Sequence, residues 1–205
     1  MSYKWLEWAK KIQALSQSGL SFSKDVYDIE RYEELRKISA EIMEQYTDLE
    51  MEKITELFTN ETGYQTPKVD IRGAVFKDDK ILMVREKIDD KWSLPGGFCD
   101  IGLSPSENIK KEVKEESGYD VTAQKLVALL DINKHPHPPQ PYHYYKIFIQ
   151  CELTGGEAES GVETKDVRFF SENHLPKLST GRNTEEQITM LFDYLRNPNK
   201  ASIFD

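Results

Sequence analysis

Apolar residues in the first part of the chain recur at the spacing of amphipathic helices. The first such series comprises Trp5, Trp8, Ala9, Ile12 and Leu15. It is interrupted by Gly19, and Asp28 is the predicted cap of a second helix. The apolar side of that second helix is formed by Tyr32, Leu35, Ile38, Ile42 and Tyr46.

A third helix is predicted after Thr47 and Glu50, which have the spacing of a capping box. Its apolar positions are Ile54, Leu57 and Phe58. The three helices predict a small all-α domain over residues 1–66. A helical segment of this length rarely builds a robust core alone, so we expect it to mediate dimerisation and to cover the substrate site.

From Val69 onward the pattern changes to that of β-strands. Residues 69–75 alternate, and the apolar run 81–84 follows the polar turn 77–80, which predicts a hairpin. Further strands are predicted at 92–94, 126–130, 144–153 and 167–170. A last helix is predicted to begin at Thr184, which forms a capping box with Gln187. Residues 67–205 therefore read as an α+β domain.

The stretch from Leu94 to Tyr119 combines a Gly-Gly turn with a helix. Ser104, Pro105 and Glu107 are a strong helix start, and Gly118 is a natural stop. A glycine turn that feeds a helix allows the backbone to approach a phosphate or a metal ion closely.

Three acids lie on one face of this helix, because Glu112, Glu115 and Glu116 are spaced i, i+3 and i+4. One interpretation is a solvated surface, since Lys110, Lys111 and Lys114 are interleaved. The other is a site for Mg²⁺, which prefers carboxylate oxygens and is completed by substrate phosphates. The adjacent Gly-Gly loop favours the second interpretation.

Composition narrows the class of protein. The 205 residues are 38% hydrophobic and 31% charged, which suits a globular chain with a real core. No apolar run approaches the roughly 20 residues of a membrane span. Cys99 and Cys151 are too few for a disulfide scaffold, so we expect a cytoplasmic location. The net charge of −9 argues against extended nucleic-acid binding but leaves a nucleotide-sized ligand open.

The stretch resembles the Nudix box. Gly97 matches its opening glycine, Glu112, Glu115 and Glu116 its acids, and Gly118 its last glycine. The resemblance implies an α/β/α sandwich around a mixed sheet, Mg²⁺ or substituting Mn²⁺ as cofactor, and hydrolysis of a diphosphate linkage. It further implies that the three acids are catalytic and hold the metal together with the Gly97 backbone.

Two positions depart from the box. Leu103 stands where the family usually has Glu, and Lys111 where it usually has Arg. In the family this pair usually braces the loop against the helix, so the joint change indicates a swapped brace.

Other residues are candidates for substrate binding. The proline-rich segment from His135 to His143 contains His137 and Tyr142, and is either a rigid solvated connection or a loop that contacts a base or head group. Glu163 and Asp166 follow in a later loop and are either surface acids or extra site acids. Arg72 is a further candidate.

The helical N-terminal segment, the run from Pro67 to Arg72, and a box with Leu103 and Lys111 together resemble a Gram-positive bacterial Nudix group that includes CDP-choline pyrophosphatases. This resemblance implies cleavage of CDP-choline to CMP and phosphocholine. The exposed apolar faces of the predicted N-terminal helices separately predict a homodimer. ADP-ribose pyrophosphatase is the alternative enzyme. A weakly catalytic, nucleotide-binding regulator is the alternative from another class.

Overall fold

The computed structural model describes residues 4–47 and 63–205. By their contacts, these residues divide into two compact units. The helical unit comprises the described residues up to Pro67 together with Pro139–Tyr142, and the sheet unit comprises Lys68–Pro138 together with His143–Asp205.

The helical unit consists mainly of α1 (Lys4–Phe22) and α2 (Val26–Tyr46). Their small shared core is formed by Leu6, Ala9, Ala40 and Met43. The buried Ser39 hydroxyl donates to the carbonyl of Ala9 at 2.8 Å, which fastens α2 to α1. The Trp5 and Tyr46 rings stack with centroids 5.3 Å apart.

Two details of the helix prediction were wrong. Gly19 does not interrupt α1, because a side chain there would lie 2.4 Å from the Tyr32 ring, and glycine lets the two helices approach. The cap of α2 is Asp25 rather than Asp28, since the Asp25 carboxylate accepts the backbone N–H groups of Tyr27 and Asp28. The predicted third helix falls on residues 48–62, outside the described part of the chain.

The sheet unit contains seven strands and two α-helices among its described residues. These are β1 (Lys68–Lys77), β2 (Lys80–Glu86), β3 (Trp92–Ser93), α3 (Pro105–Ser117), β4 (Tyr119–Asp131), β5 (Tyr144–Gly156), β6 (Thr164–Phe170), α4 (Glu185–Arg196) and β7 (Ile203–Phe204). The strand order is β3-β2-β1-β5-β4-β7, with β6 on β2. The sheet is mixed, because β1 runs parallel to β5 while β4 runs antiparallel to it.

Each face of the sheet carries one helix. Ile71 and Val75 of β1 pack with Ile109 and Val113 of α3. Ala74, from the opposite face of β1, belongs to the core that contains Ile188, Leu191 and Phe192 of α4. The predicted α/β/α sandwich is confirmed.

The predicted hairpin is confirmed, and its turn has positive φ at Asp78 and Asp79. The strand predicted at 126–130 is longer than expected, since β4 begins at Tyr119. Tyr119, Val121 and Ala123 alternate with polar residues, but the register shift between Ala123 and Lys125 separates them from the apolar run that follows. The two-residue β7 was not predicted.

Candidate active site

The Gly-Gly loop after β3 lies along β1 like an additional antiparallel strand. The N–H of Ile71 donates to the carbonyl of Gly97 at 2.8 Å, and the N–H of Gly73 donates to Pro95 at 2.9 Å. The N–H of Cys99 donates back to the carbonyl of Val69 at 2.9 Å. The loop backbone is therefore fixed by the central strand that runs beside it.

Position 96 requires glycine because of its backbone conformation and because of its close neighbours. Its φ is +140°, a region that side chains rarely tolerate, and a Cβ would lie 2.0 Å from the carbonyl oxygen of Ile71. At Gly97 a Cβ would lie 3.2 Å from the Glu112 carboxylate. The two glycines thus bring the backbone against both the strand and the acidic helix.

Replacing Gly96 with Ala is expected to lower turnover by about 100-fold, because the loop must move away from β1 by an ångström or more. The control is Gly155→Ala, where the added Cβ has only ordinary contacts and φ is not positive. Steady-state kinetics of both purified variants test this. Wild-type turnover in Gly96→Ala would show that the observed loop geometry is not needed for activity.

The acidic helix α3 has the predicted ends. The Ser104 side chain accepts the N–H of Glu107 in a capping box, Pro105 occupies the first turn, and Gly118 ends the helix in the left-handed conformation. Of the three acids, Glu116 is buried, Glu112 is half-buried and Glu115 is exposed. The three acids of this helix therefore differ in solvent exposure, from buried to exposed.

Glu116 is the most perturbed acid of the cluster. Its Oε2 accepts the N–H of Gly96 at 2.8 Å, which joins the helix to the loop. Burial raises the pKa of Glu116 to about 8, although Arg72 and the Gly96 N–H oppose the increase. Burial also raises the pKa of Glu112, and nearby Glu115 and Asp100 add to that increase. The site therefore resists accumulating negative charge.

Glu115 instead has a cationic partner. Its Oε2 lies 2.9 Å from the Lys111 Nζ, which also lies 3.1 Å from Asp100.

Arg72 lies behind the loop rather than in open solvent. Its guanidinium donates to both carboxylate oxygens of Asp70, at 3.1 and 2.8 Å, and to the carbonyl of Leu94 at 3.1 Å. Its charge also acts on Glu116 and Glu112. This setting supports a role in positioning the loop, and direct substrate contact by Arg72 stays a prediction.

Sequence reasoning missed the charged groups around Arg72. The fully buried Lys146 contacts Asp70 at 2.6 Å, and burial lowers the pKa of Lys146 to about 8. Burial disfavours ionised Asp70, but Arg72 and Lys146 outweigh it and hold the pKa of Asp70 below its ordinary value. The available signal was a pair of charged residues at alternate positions of β1 and a lone Lys in the apolar run of β5.

A second buried acid, Glu86, completes this charged layer. It accepts the Ser93 hydroxyl at 2.5 Å and the Arg182 guanidinium at 2.8 Å. Beside it, the Asn183 side chain accepts the N–H of Leu94 at 2.8 Å. The residues that hold the loop thus come from β1, β2, β5 and the segment before α4.

The two histidine candidates have partners elsewhere. His137 Nδ1 donates to the carbonyl of Thr180 at 2.8 Å, and its Nε2 lies 2.9 Å from the Gln187 amide. Burial lowers the pKa of His137 to about 4, so the ring is neutral at neutral pH. His135 pairs with Asp205 at 3.1 Å. Both rings are therefore engaged by partners within the sheet unit.

The remaining candidates are Tyr142, Glu163 and Asp166. Tyr142 belongs to the helical unit, where its carbonyl accepts the Lys10 ammonium at 3.2 Å. Glu163 is exposed, and Asp166 pairs with Arg168 at 2.6 Å. The structure therefore brings together Gly97, Glu112, Glu116 and Arg72, whereas substrate binding by the other candidates stays a prediction.

The cluster fits a hard divalent cation. A nearby cation would favour the ionised form of the buried Glu116 and of Glu112, whose pKa values are raised by burial, and carboxylate oxygen is the donor that Mg²⁺ prefers. Within residues 4–47 and 63–205, no three acidic, histidine or cysteine side chains already converge as a metal site. Binding would therefore include side-chain rearrangement, and Glu115 would have to leave Lys111.

Within residues 4–47 and 63–205, each α-helix is too short or too polar to span a lipid bilayer.

Comparisons with known proteins agree with this geometry. Residues 66–192 match the NUDIX domain, and residues 3–58 match a UDP-X-like, N-terminal oligomerisation domain. A Bacillus subtilis (strain 168) protein named "Putative ADP-ribose pyrophosphatase YjhB" is 61% identical over 98% of this chain and 97% of its own length. An ADP-ribose pyrophosphatase of Methanocaldococcus jannaschii is 32% identical over 65% of this chain and 76% of its own.

Solved structures show the same relationship. The crystal structure of a UDP-X diphosphatase is similar over 98% of both chains, with a TM-score of 0.65 and 36% identity. An ADP-ribose pyrophosphatase from Streptococcus suis covers 68% of this chain and 100% of its own, with a TM-score of 0.62 and 46% identity. With its Gly-Gly loop, acidic helix and matching domain, this chain belongs to the Nudix hydrolase family and is a pyrophosphatase.

Proposed function

We propose that this pyrophosphatase cleaves a nucleoside diphosphate linked to a second group, with ADP-ribose as the first candidate substrate. The observation that carries the reaction class is the Gly96–Gly97 backbone held against Glu112 and Glu116, whose carboxyls have raised pKa values. A loop of this kind can receive a phosphate, and the acids can receive its counter-ion.

We assign the cation, Mg²⁺ or Mn²⁺, to Glu112, Glu115, Glu116 and the Gly97 carbonyl. The Gly97 oxygen already accepts the N–H of Ile71, but a carbonyl has a second lone pair. A bound Mg²⁺ neutralises phosphate oxygens and lowers the pKa of water. The Gly96 N–H holds the Glu116 carboxylate in place, and Arg72 holds the loop through Leu94.

Glu112 is our candidate for the general base. Water attacks one phosphorus of the diphosphate, its proton passes to the Glu112 carboxylate, and the bond from that phosphorus to the bridging oxygen breaks. Burial raises the pKa of the half-buried Glu112, which makes its carboxylate a stronger proton acceptor than a solvated one.

Glu112→Gln is expected to lower kcat by about 100-fold or more, because the amide cannot accept the proton. Single-turnover reactions measure the rate of the chemical step itself. Lys110→Ala, on the same helix, is the control. A Glu112→Gln variant that turns over within a few-fold of wild type would remove Glu112 from this role.

The named relatives and the sequence resemblance favour different substrates. The relatives named as ADP-ribose pyrophosphatases favour ADP-ribose, cut to AMP and ribose 5-phosphate. The resemblance in the sequence favours CDP-choline, cut to CMP and phosphocholine, which we keep as the second candidate.

Hydrolysis of both compounds with Mg²⁺, side by side at equal concentration, is the deciding measurement. We expect release of AMP with the larger kcat/KM. Preferential release of CMP would reverse the order of the substrates and keep the chemistry. Stabilisation of the protein by Mg²⁺ and nucleotide without turnover of either would instead support a nucleotide-binding regulator.

We further propose that residues 1–66 mediate homodimerisation and cover the substrate site. The match to an oligomerisation domain supports the dimerisation, as do the exposed side chains of Phe22, Val26 and Tyr27 on a unit whose own core is small.

A further inference from the structure

The loop from Phe98 to Leu103 connects Gly97 to the acidic helix, and its recorded apolar contacts lie at its start. There Cys99 packs on the core beside α3, and the Phe98 ring lies 5.6 Å from the Tyr144 ring. Ile101 is fully exposed, whereas Phe98 and Leu103 are 49% and 38% exposed. Leu103 carries no polar side-chain atom that could fasten the loop. The start of the loop is held to β1 through the N–H of Cys99, so a different group must hold the part from Asp100 to Leu103 to α3.

Asn108 is in the position to do so. Its side chain is 1% exposed, and its Oδ1 accepts the N–H of Asp100 at 2.8 Å. Its Nδ2 donates to the carbonyls of Leu103 at 3.1 Å and Ser104 at 3.3 Å. The Nδ2 also donates to the carbonyl of Asp100 at 3.4 Å. One amide thus binds the N–H and the carbonyl of Asp100 in the middle of the loop and two carbonyls at its end, which a carboxylate or a hydroxyl could not do alone.

A second contact lies outside the first. The Lys111 ammonium joins Asp100 of the loop to Glu115 of the helix, at 3.1 and 2.9 Å. These side chains are 39%, 55% and 58% exposed, so solvent screens their attraction. The buried amide is therefore the stronger of the two fastenings.

We propose that Asn108 is a positioning residue for the reaction, because it sets the curve of the 98–103 loop and so keeps Gly97 against Glu112. The expected effect of Asn108 on kcat rests on the proposed function, whereas its expected effect on the 98–103 loop does not. Asn108 does not touch the acids itself. Its effect reaches them through the loop backbone, and Lys111 adds to it from the solvent side.

The experiment compares Asn108→Leu, which fills a similar volume without hydrogen bonds, with Asn108→Asp, which keeps only the acceptor for the Asp100 N–H. Ser106→Ala, an exposed polar residue on the same helix, is the control. Hydrogen exchange of residues 98–104 reports local opening of the loop, and the melting temperature reports the stability of the whole fold. The constants kcat and KM are measured well below the melting temperature.

We expect Asn108→Leu to speed exchange of the Asp100 amide by about tenfold or more and to lower kcat by about 10- to 100-fold with a smaller change in KM. Asn108→Asp should keep part of the protection at Asp100 and lie between Asn108→Leu and wild type in kcat. Unchanged exchange in the loop of Asn108→Leu, or loss of protection throughout α3 together with the loop, would overturn the proposal.

If Asn108→Leu does not fold, Asn108→Asp alone decides by the same two readings. If the wild type hydrolyses no diphosphate substrate, the proposed function fails, and the exchange measurement still accepts or rejects Asn108 as the residue that sets the loop.

Discussion

Glu116→Gln is expected to stabilise the metal-free protein and to abolish most of its activity in one step. Burial raises the pKa of Glu116 to about 8, whereas the same group in the unfolded chain ionises near its ordinary value of 4.5. Between these values the folded state binds a proton that the unfolded state has released. The stability of the wild type therefore falls as the pH rises from 4.5 to 8, and levels off above 8.

Glutamine does not ionise in this pH range, so the stability of the variant does not fall between pH 4.5 and 8 on account of this position. Thermal unfolding in the presence of a chelator should show a higher Tm for Glu116→Gln than for the wild type, with a larger difference at pH 8.5 than at pH 6. Turnover with Mg²⁺ should fall by about 100-fold or more, the scale on which enzymes slow when a positioned carboxylate is lost.

Glu186→Gln, an exposed acid of α4, is the matched control and should change neither Tm nor turnover. A Glu116→Gln variant that melts at the wild-type temperature at both pH values would show that Glu116 is not held in a charge-resisting environment. A variant that retains turnover would exclude Glu116 from the catalytic cluster.

Asp70→Asn is expected to cause the largest loss of stability. Asp70 is the shared partner of the buried Arg72 and Lys146, so the amide leaves two cations without a counter-charge in the interior. Breaking a buried pair in this way costs about 3–5 kcal/mol. Urea unfolding at pH 7 measures it, and activity should fall too, because Arg72 also holds the Leu94 carbonyl.

Two further variants separate charge from packing. Asp90→Asn removes an exposed acid that pairs with Arg85 and Lys165, and it should leave the unfolding midpoint nearly unchanged. Adding Lys146→Met to Asp70→Asn should recover part of the lost stability, since one of the stranded cations is gone. A loss below about 1 kcal/mol in Asp70→Asn would mean that Arg72 and Lys146 do not depend on Asp70.

The sequence predicted those parts of the site that depend on local chemistry. The ends of α3 follow from Ser104, Glu107 and Gly118, and the helical period alone places Glu112 and Glu116 near each other. The hairpin between β1 and β2 was equally local. Each of these features depends on residues within about one or two helical turns or one tight turn of each other.

What could not be predicted depends on residues far apart in the chain. Asp70 and Lys146 are separated by 76 positions, and Asn183 reaches Leu94 across 89. No periodicity encodes such pairs. His137 shows the converse, because its place in a proline-rich loop suggested a substrate contact, while only the fold reveals that both ring nitrogens are engaged by Thr180 and Gln187.

The strand-like pairing of the Gly-Gly loop with β1 also determines how the loop behaves when the protein is heated. Because Gly97 and Pro95 accept N–H groups of the central strand, the loop loses its conformational entropy when the chain folds and not when substrate arrives. Substrate binding therefore carries little ordering cost at this loop, and the loop has no separate melting of its own. Thermal inactivation should coincide with unfolding of the sheet.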